Sequence, residues 1–420
     1  MTEKSEFNRK NRIKTCFLSG GNYIIRIIGE KTMKKIFNVT EYGVKADRPD
    51  VIQTEAIQNV IDLAAAEGGE ICFPEGRYSS GSLFFKENTS LHLEKNAFLQ
   101  GSADISDFAV LPTRMEGENV TYFAALINAD HVDGFSISGE GVIDGNGLPY
   151  WRHFWLRRQF NPACTNMDEM RPRILYVSNS KRVRISGVTF QNSPFWTTHF
   201  YRCSDLILSG LRITAPTKPV LAPSTDAIDL DVCSDVLITN CYISVNDDGI
   251  ALKGGKGPEA DKLPENGENA RITIENCTFG FCHCMLTCGS ETVHNHDIIL
   301  RDCVSDGAAC VLSLKMRPDT NQLNEKIRVE NITGTCEKIF TSYSFTQFRR
   351  SPDLHMSYGR DILLSGLRLK CDKLFLVEDS IEYDLENIQV RDCEFTTSAE
   401  LKIVRRDGKE FLFENVKVVS

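Results

Sequence analysis

The chain has 420 residues, 41% of them hydrophobic and 25% charged, which excludes a disordered protein and allows a large apolar core. Its formal net charge of −9 argues against nucleic acid as a partner, and no apolar run approaches the roughly 18 residues that a membrane-spanning helix needs. The 15 cysteines form no CxxC pairs and the charged N-terminus carries no apolar leader, so reduced cysteines acting as small hydrophobes in a cytoplasmic protein are expected.

Residues 1–32 differ in character from the rest of the chain and read as a poorly ordered extension; Met33 then opens MKKIFNVTEYGV. Residues 33–420 contain no linker rich in Pro, Gly or Ser and read as one catalytic domain. Ile57, Val60, Ile61 and Ala64 follow the spacing of one buried helical face, with Thr54 as the predicted N-cap and Gly68-Gly69 as the stop. From about residue 83 the chain alternates apolar and polar residues in short strands, as in LHL, FSIS, VRISGVTF, LILSGLRI, VLITNCYI, ITIENCTF, IILRDCVS, IRVENITG, ILLSGLRL and IQVRDCEF.

The recurrence of the whole unit is a repeat signal. Cys241, Cys277, Cys303 and Cys393 each follow Asn or Asp at a strand end, and the first three are 36 and 26 residues apart. Such irregular spacing fits coils of a parallel β-helix, in which loops vary on one side while strands stay in register. Asn-Gly hairpin signals are nearly absent, and the gaps are too short for crossover helices. The expected fold is therefore all-β, a single-stranded parallel β-helix whose open N-terminal edge is capped by the helix near 54–66.

The repeat allows equivalent positions to be stacked. Aligning Ile228, Ile250, Met285 and Val311 places Asp226, Asp248, His283 and Ala309 two positions earlier, with Lys315 four positions after Val311. Neighbouring coils lie about 4.8 Å apart. Asp226 and Asp248 are thus expected side by side, His283 a step further, Lys315 near the end of the row and Asp247 as a third carboxylate at its edge. Three clustered acids raise at least one pKa, which a fold does not need and chemistry uses. A protonated carboxyl can donate to a leaving oxygen while an ionised one activates water; in inverting glycosidases the two are roughly 6.5–9.5 Å apart. His283 is placed to tune the acids and Lys315 to hold an anionic sugar.

Ser224-Thr225-Asp226, Asn246-Asp247-Asp248, Cys282-His283-Cys284 and Leu314-Lys315 resemble, in order, the four signatures of glycoside hydrolase family 28, the polygalacturonases and their relatives. The resemblance extends from Phe37 over nearly the whole chain. It includes Ser138–Gly147 with Trp151; Arg171-Pro172-Arg173 and Asn192-Ser193-Pro194-Phe195-Trp196 are similar to its bacterial, often exo-acting members. It implies a right-handed, pectin-lyase-like β-helix that hydrolyses α-linked galacturonides with inversion. Asp247 would be the general acid, Asp226 and Asp248 would position and deprotonate water, His283 would sit beside them and Lys315 would contact substrate.

The sequence departs from the family at Ser224, where Asn is usual, at Cys282 and Cys284, where Gly flanks the His, and at Ser313, where Arg is usual. Arg317 is the candidate replacement cation, or else a turn residue paired with Asp319. Asn192 and Trp196 are candidate sugar contacts, with a core aromatic as the alternative for Trp196; Lys253 either reaches substrate or snorkels. Cys282-His283-Cys284 with Cys288 does not have zinc-site spacing, and Gly139, Gly141 and Gly145 precede no helical pattern, so no metal or cofactor is expected. The expected partner is a galacturonic-acid-containing oligosaccharide, with oligomeric state open. A cytoplasmic location favours short imported oligosaccharides cut from one end, with segments 149–170 and 254–268 as loops that close the groove. A β-helical polysaccharide lyase and a non-catalytic glycan-binding β-helix are the competing readings.

Overall fold

The stacks predicted from alternation are seen directly. In a computed structural model that describes residues 35–347, 349, 351–398 and 411–419, Leu206, Val236, Ile272, Ile298, Ile327, Ile362 and Ile388 lie in register on successive parallel strands, all buried. The extension expected over residues 1–32 lies outside the described residues. Among those described, each predicted segment from Val183 to Phe395 becomes strand, corner, strand. One strand of each coil joins a 13-stranded sheet and the others join a 19-stranded sheet whose rows fuse at Val304–Met316. Among the described residues every strand pairing apart from one hairpin is parallel, so the chain winds as a right-handed β-helix around one continuous apolar core.

The corners explain the Asn/Asp-Cys recurrence. Asn240, Asn276, Asp302 and Asp392 have left-handed φ of 55°, 54°, 52° and 54°, and Gly187 and Gly210 hold the same place in earlier coils. Gly and Asn/Asp are the residues that enter this region most readily. The residue after the corner turns inward. Cys241 N–H donates to Cys277 Sγ, and Cys277 N–H to Cys303 Sγ, each at 3.4 Å. All 14 cysteines among the described residues are buried and free. Inside the 13-stranded sheet, Asn269, Asn295 and Asn324 form a second ladder, with amide bonds of 3.0 and 2.7 Å that satisfy buried polar groups.

The first helix, α1 (Thr54–Glu67), buries Ile57, Val60, Ile61 and Ala64 against the first strands, as its periodicity predicts. Its N-cap is Gln53 rather than Thr54; the Thr54 hydroxyl instead accepts from Gly81 N–H at 2.7 Å. The expected 149–170 loop contains a second helix, α2 (Leu148–Phe160). Three side chains pin α2: Tyr150 OH to the Ser102 carbonyl at 2.8 Å, Trp151 Nε1 to that of Ser193 at 2.9 Å, and Trp155 Nε1 to that of Leu221 at 2.7 Å. A hairpin that no Asn-Gly announced pairs Val110–Met115 with Glu118–Phe123. Its turn residues, Glu116 and Gly117, both have positive φ, 47° and 73°, the geometry that matches strand twist.

The register also corrects the predicted stack. Ile228 pairs with Ile250 as expected, but Ile250 pairs with Leu286 and Leu286 with Leu312, one residue beyond Met285 and Val311. The row that starts at Asp226 and Asp248 therefore continues through Cys284 and Cys310. His283 aligns instead with Asp247, and Lys315 with Lys253.

Candidate active site

Despite the shifted register, Asp226, Asp247 and Asp248 converge: one oxygen from each lies within 4.8 Å of the others. Coil-to-coil backbone bonds place them. Thr197 N–H donates to the Asp226 carbonyl at 2.8 Å, Ala227 N–H to that of Asp248 at 3.0 Å, and His283 N–H to that of Asp247 at 2.8 Å. Arg171 braces the preceding segment through the Pro223 carbonyl at 3.3 Å and Asn166 Oδ1 at 2.7 Å. Thr225 Oγ1 accepts from Asn246 N–H at 3.2 Å, which ties the first two signature segments together.

The three acids line a cavity of about 430 Å³ with His283, Lys253 and Lys315. Asp226 and Asp248 are buried, whereas the Asp247 side chain keeps 25% of its surface exposed. His283 Nδ1 lies 3.2 Å from Asp247 Oδ1. Lys315 Nζ donates to Asp248 Oδ2 at 2.6 Å, and Asp248 Oδ1 is buried without a protein partner among the described residues. Lys253 does not snorkel. Its ammonium is buried 3.3 Å from Glu291 Oε2, 3.9 Å from Asp229 Oδ1 and 4.9 Å from the Trp196 ring centre. Trp196 stacks on Phe195 in the interior, as its core reading has it, and also lines the cavity.

Burial, reinforced by the charges of Asp247 and Asp229, pushes Asp226 well above the carboxylate range. Asp229 rises too, from burial and from Asp248 and Asp247, against the pull of Lys253. Burial acts the same way on Asp247, but the hydrogen bond and charge of His283, with Lys315 and Lys253, outweigh it and hold Asp247 low. The bond to Asp247 in turn raises His283, against burial. The site thus favours the protonated form of Asp226 and the ionised form of Asp247, with His283 hydrogen-bonded to Asp247.

Two expected substrate contacts are absent from the cavity. Arg317 is fully buried, with Nε and Nη2 each 2.9 Å from an Asp319 oxygen and Nη1 on the Gln347 carbonyl; of its two readings the turn pair is observed. Asn192 donates to Asp144 Oδ2 at 2.7 Å and lines a separate cavity beside Trp151, because its corner turns it toward the preceding coil. Sequence reasoning also missed several lining residues. Glu116 comes from the unannounced hairpin, and Trp155 and Arg158 from α2. Buried Asp229 was legible as an outward position in Ile228-Asp229-Leu230-Asp231.

The hairpin (Glu116) and α2 (Phe154, Trp155 and Arg158) line the cavity, whereas the expected loop 254–268 contributes no lining residue and packs on the hairpin instead. Arg114 of the hairpin donates to Asn266 Oδ1 at 2.7 Å, and Lys256 lies 3.5 and 3.3 Å from Glu116 and Glu118. Past Lys315 a second cavity of about 790 Å³ shares Asp248 and His283 and continues along Ser313 and Thr341. The nearest oxygens of the three acids are closer than the roughly 6.5–9.5 Å expected of an inverting pair.

The chain is 29% identical over 228 residues to a probable polygalacturonase of Vitis vinifera, covering 52% of this chain and 44% of that protein. It is 26% identical over 306 residues to an exopolygalacturonase of Zea mays, covering 70% of this chain and 66% of the other. The chain thus spans about half to two thirds of the length of these relatives. The crystal structure of a hyperthermoactive exopolygalacturonase from Thermotoga maritima shares the fold, with a TM-score of 0.73 over 92% of each chain at 18% identity. The family model of glycosyl hydrolases family 28 matches residues 71–338, more than half of the sequence, and the chain belongs to that family.

Proposed function

We propose that the protein hydrolyses α-linked galacturonide bonds in pectin-derived oligosaccharides, with inversion and from a chain end. The observation that carries this reading is the convergence of Asp226, Asp247 and Asp248 with His283 and Lys315 in one cavity. Asp247, the most exposed of the acids, is the general acid. An approaching galacturonate carboxylate adds negative charge and excludes water, and both effects favour moving a proton from His283 Nδ1 onto Asp247. Asp247 then protonates the glycosidic oxygen as the bond to the anomeric carbon breaks. Asp248, held by Lys315, uses its unpartnered oxygen to take a proton from the attacking water, and Asp226, whose protonated form burial favours, orients that water.

Arg158 supports an anionic substrate. It lines the cavity from the last turn of α2, and among the described residues no carboxylate pairs with it. Lys315 and Lys253 already face carboxylates. The wall at the α2 end and the continuation past Lys315 support exo action, with the terminal sugar against the wall and the rest of the chain leaving past Lys315. The maize and Thermotoga relatives, both named exopolygalacturonases, point the same way.

The test is product analysis on defined oligogalacturonides and rhamnogalacturonan fragments, with anomeric configuration followed by NMR. Single galacturonic acid units released with inverted configuration are expected. Retained configuration, which the short carboxylate spacing makes the critical alternative, would overturn the mechanism, and an unsaturated ultraviolet-absorbing product would indicate a lyase.

A further inference from the structure

We propose that Glu268, His294 and His296 form a binding site for a divalent transition-metal ion, zinc by preference, on the outer face of the 13-stranded sheet. The strands Glu268–Glu275 and His294–Arg301 belong to neighbouring coils, and the register sets Glu268 beside His294 and Ala270 beside His296. Alternation turns His294 and His296 to the same outer face, because Asn295 between them is buried in the asparagine ladder. The two rings lie 4.5 Å apart, and one donor atom from each of the three side chains lies within 4.8 Å of the others. None of the three lines the carboxylate cavity.

The second observation is how the rings are held. His294 Nε2 lies 3.1 Å from Glu325 Oε1, and His296 Nδ1 lies 2.6 Å from Asp297 Oδ2. Glu325 is itself fixed by Arg360 Nε at 2.7 Å. Each imidazole therefore has its outer nitrogen on a carboxylate, which leaves His294 Nδ1 and His296 Nε2 for a shared ligand. Those two nitrogens face one oxygen, Glu268 Oε2, at 3.9 and 3.2 Å. Carboxylates on the far nitrogen are what orient histidines at metal centres and raise their basicity. Two imidazole nitrogens and one carboxylate oxygen form a mixed set suited to zinc and its neighbours, with a fourth position for water.

The site departs from the sequence-based expectation of no metal. His294-Asn295-His296 has the same-face spacing of a strand, and Glu268 stands one coil, 26 residues, before His294. Zinc there would tie two coils together and stabilise the folded chain by mass action.

The experiment is isothermal titration of the untagged, chelator-treated full-length protein with zinc chloride, with thermal unfolding in parallel. One equivalent should bind. His294→Ala and Glu268→Ala should each weaken binding by at least about tenfold, and Glu325→Gln, which removes the support of the His294 ring and the ion pair to Arg360 but none of the three ligands, by about tenfold. Zinc should raise the Tm of the wild type and not that of the His294→Ala, His296→Ala double variant, whose fold is checked by circular dichroism and whose hydrolase activity should be unchanged. Absence of binding to the wild type would overturn the proposal. So would unchanged affinity in the variants, which would place zinc elsewhere, for instance on Asp226, Asp247 and Asp248.

Discussion

Lys315 Nζ lies 2.6 Å from Asp248 Oδ2 although the two residues are 67 positions apart and a whole coil separates their strands. The Asp248 side chain is 1% exposed and that of Lys315 17%, so the ammonium neutralises a carboxylate that water hardly reaches. Lys315→Met should therefore do more than weaken substrate binding. It should destabilise the protein by about 3–5 kcal/mol, the usual result of leaving one member of a buried pair alone. Lys315→Arg should recover much of that stability. Urea unfolding of the two variants checks this; equal stability of Lys315→Met and wild type would contradict it.

Asp226 should be a site where function opposes stability. Its pKa in the folded chain is raised, so its contribution to stability is present below the ordinary carboxylate pKa and is lost as pH rises through the raised value. At neutral pH the buried acid is a liability that Asp226→Asn removes. The variant should be inactive and more stable than wild type at pH 7, with Tm up by roughly 2–4 °C per kcal/mol relieved, and the gain should shrink toward pH 3. Thermal melts across that range decide it, and a gain that grows on acidification would refute it.

The pair of His283 and Asp247 carries opposite signs. The raised His283 contributes stability that is complete below its ordinary pKa and is lost as pH rises through its folded value. The lowered Asp247 contributes stability that is complete above its ordinary pKa and is lost as pH falls through its folded value. Coupling between the two should thus be largest at mildly acidic pH. A double-mutant cycle of Asp247→Asn and His283→Gln should show its largest interaction energy near pH 5–6 and a smaller one at pH 8. An interaction energy flat with pH would contradict that coupling.

Much of this arrangement was legible because the coils repeat. Alternation named the strands, Asn or Asp before Cys named the corners, and the side-by-side placing of Asp226 and Asp248 followed. The register of the third coil was not legible. Phe281-Cys282-His283-Cys284-Met285-Leu286 is nearly all apolar, and a strand without alternation does not show which residues face inward. The helix α2 was hidden for a related reason. It buries Tyr150, Trp151 and Phe154 but exposes Leu156 and Phe160, so no single apolar face stands out. With it went Arg158. Arg317 was a chemical ambiguity, since a guanidinium two residues from an aspartate suits a turn and a ligand equally, and only burial separates the two.

Arg158 should contribute to binding rather than to chemistry. Arg158→Ala should raise KM for oligogalacturonides about tenfold with kcat nearly unchanged, and methyl-esterified substrates should lose the discrimination. Steady-state kinetics on both substrates test this. A fall in kcat at constant KM would instead place Arg158 in the transition state.

The most direct measurement is reducing-sugar release by Asp247→Asn on defined oligogalacturonides, with circular dichroism of the same sample. The account predicts a loss of about 10²–10⁴-fold in rate with the β-helix spectrum intact. Hydrolysis at the wild-type rate by a folded Asp247→Asn protein would contradict it.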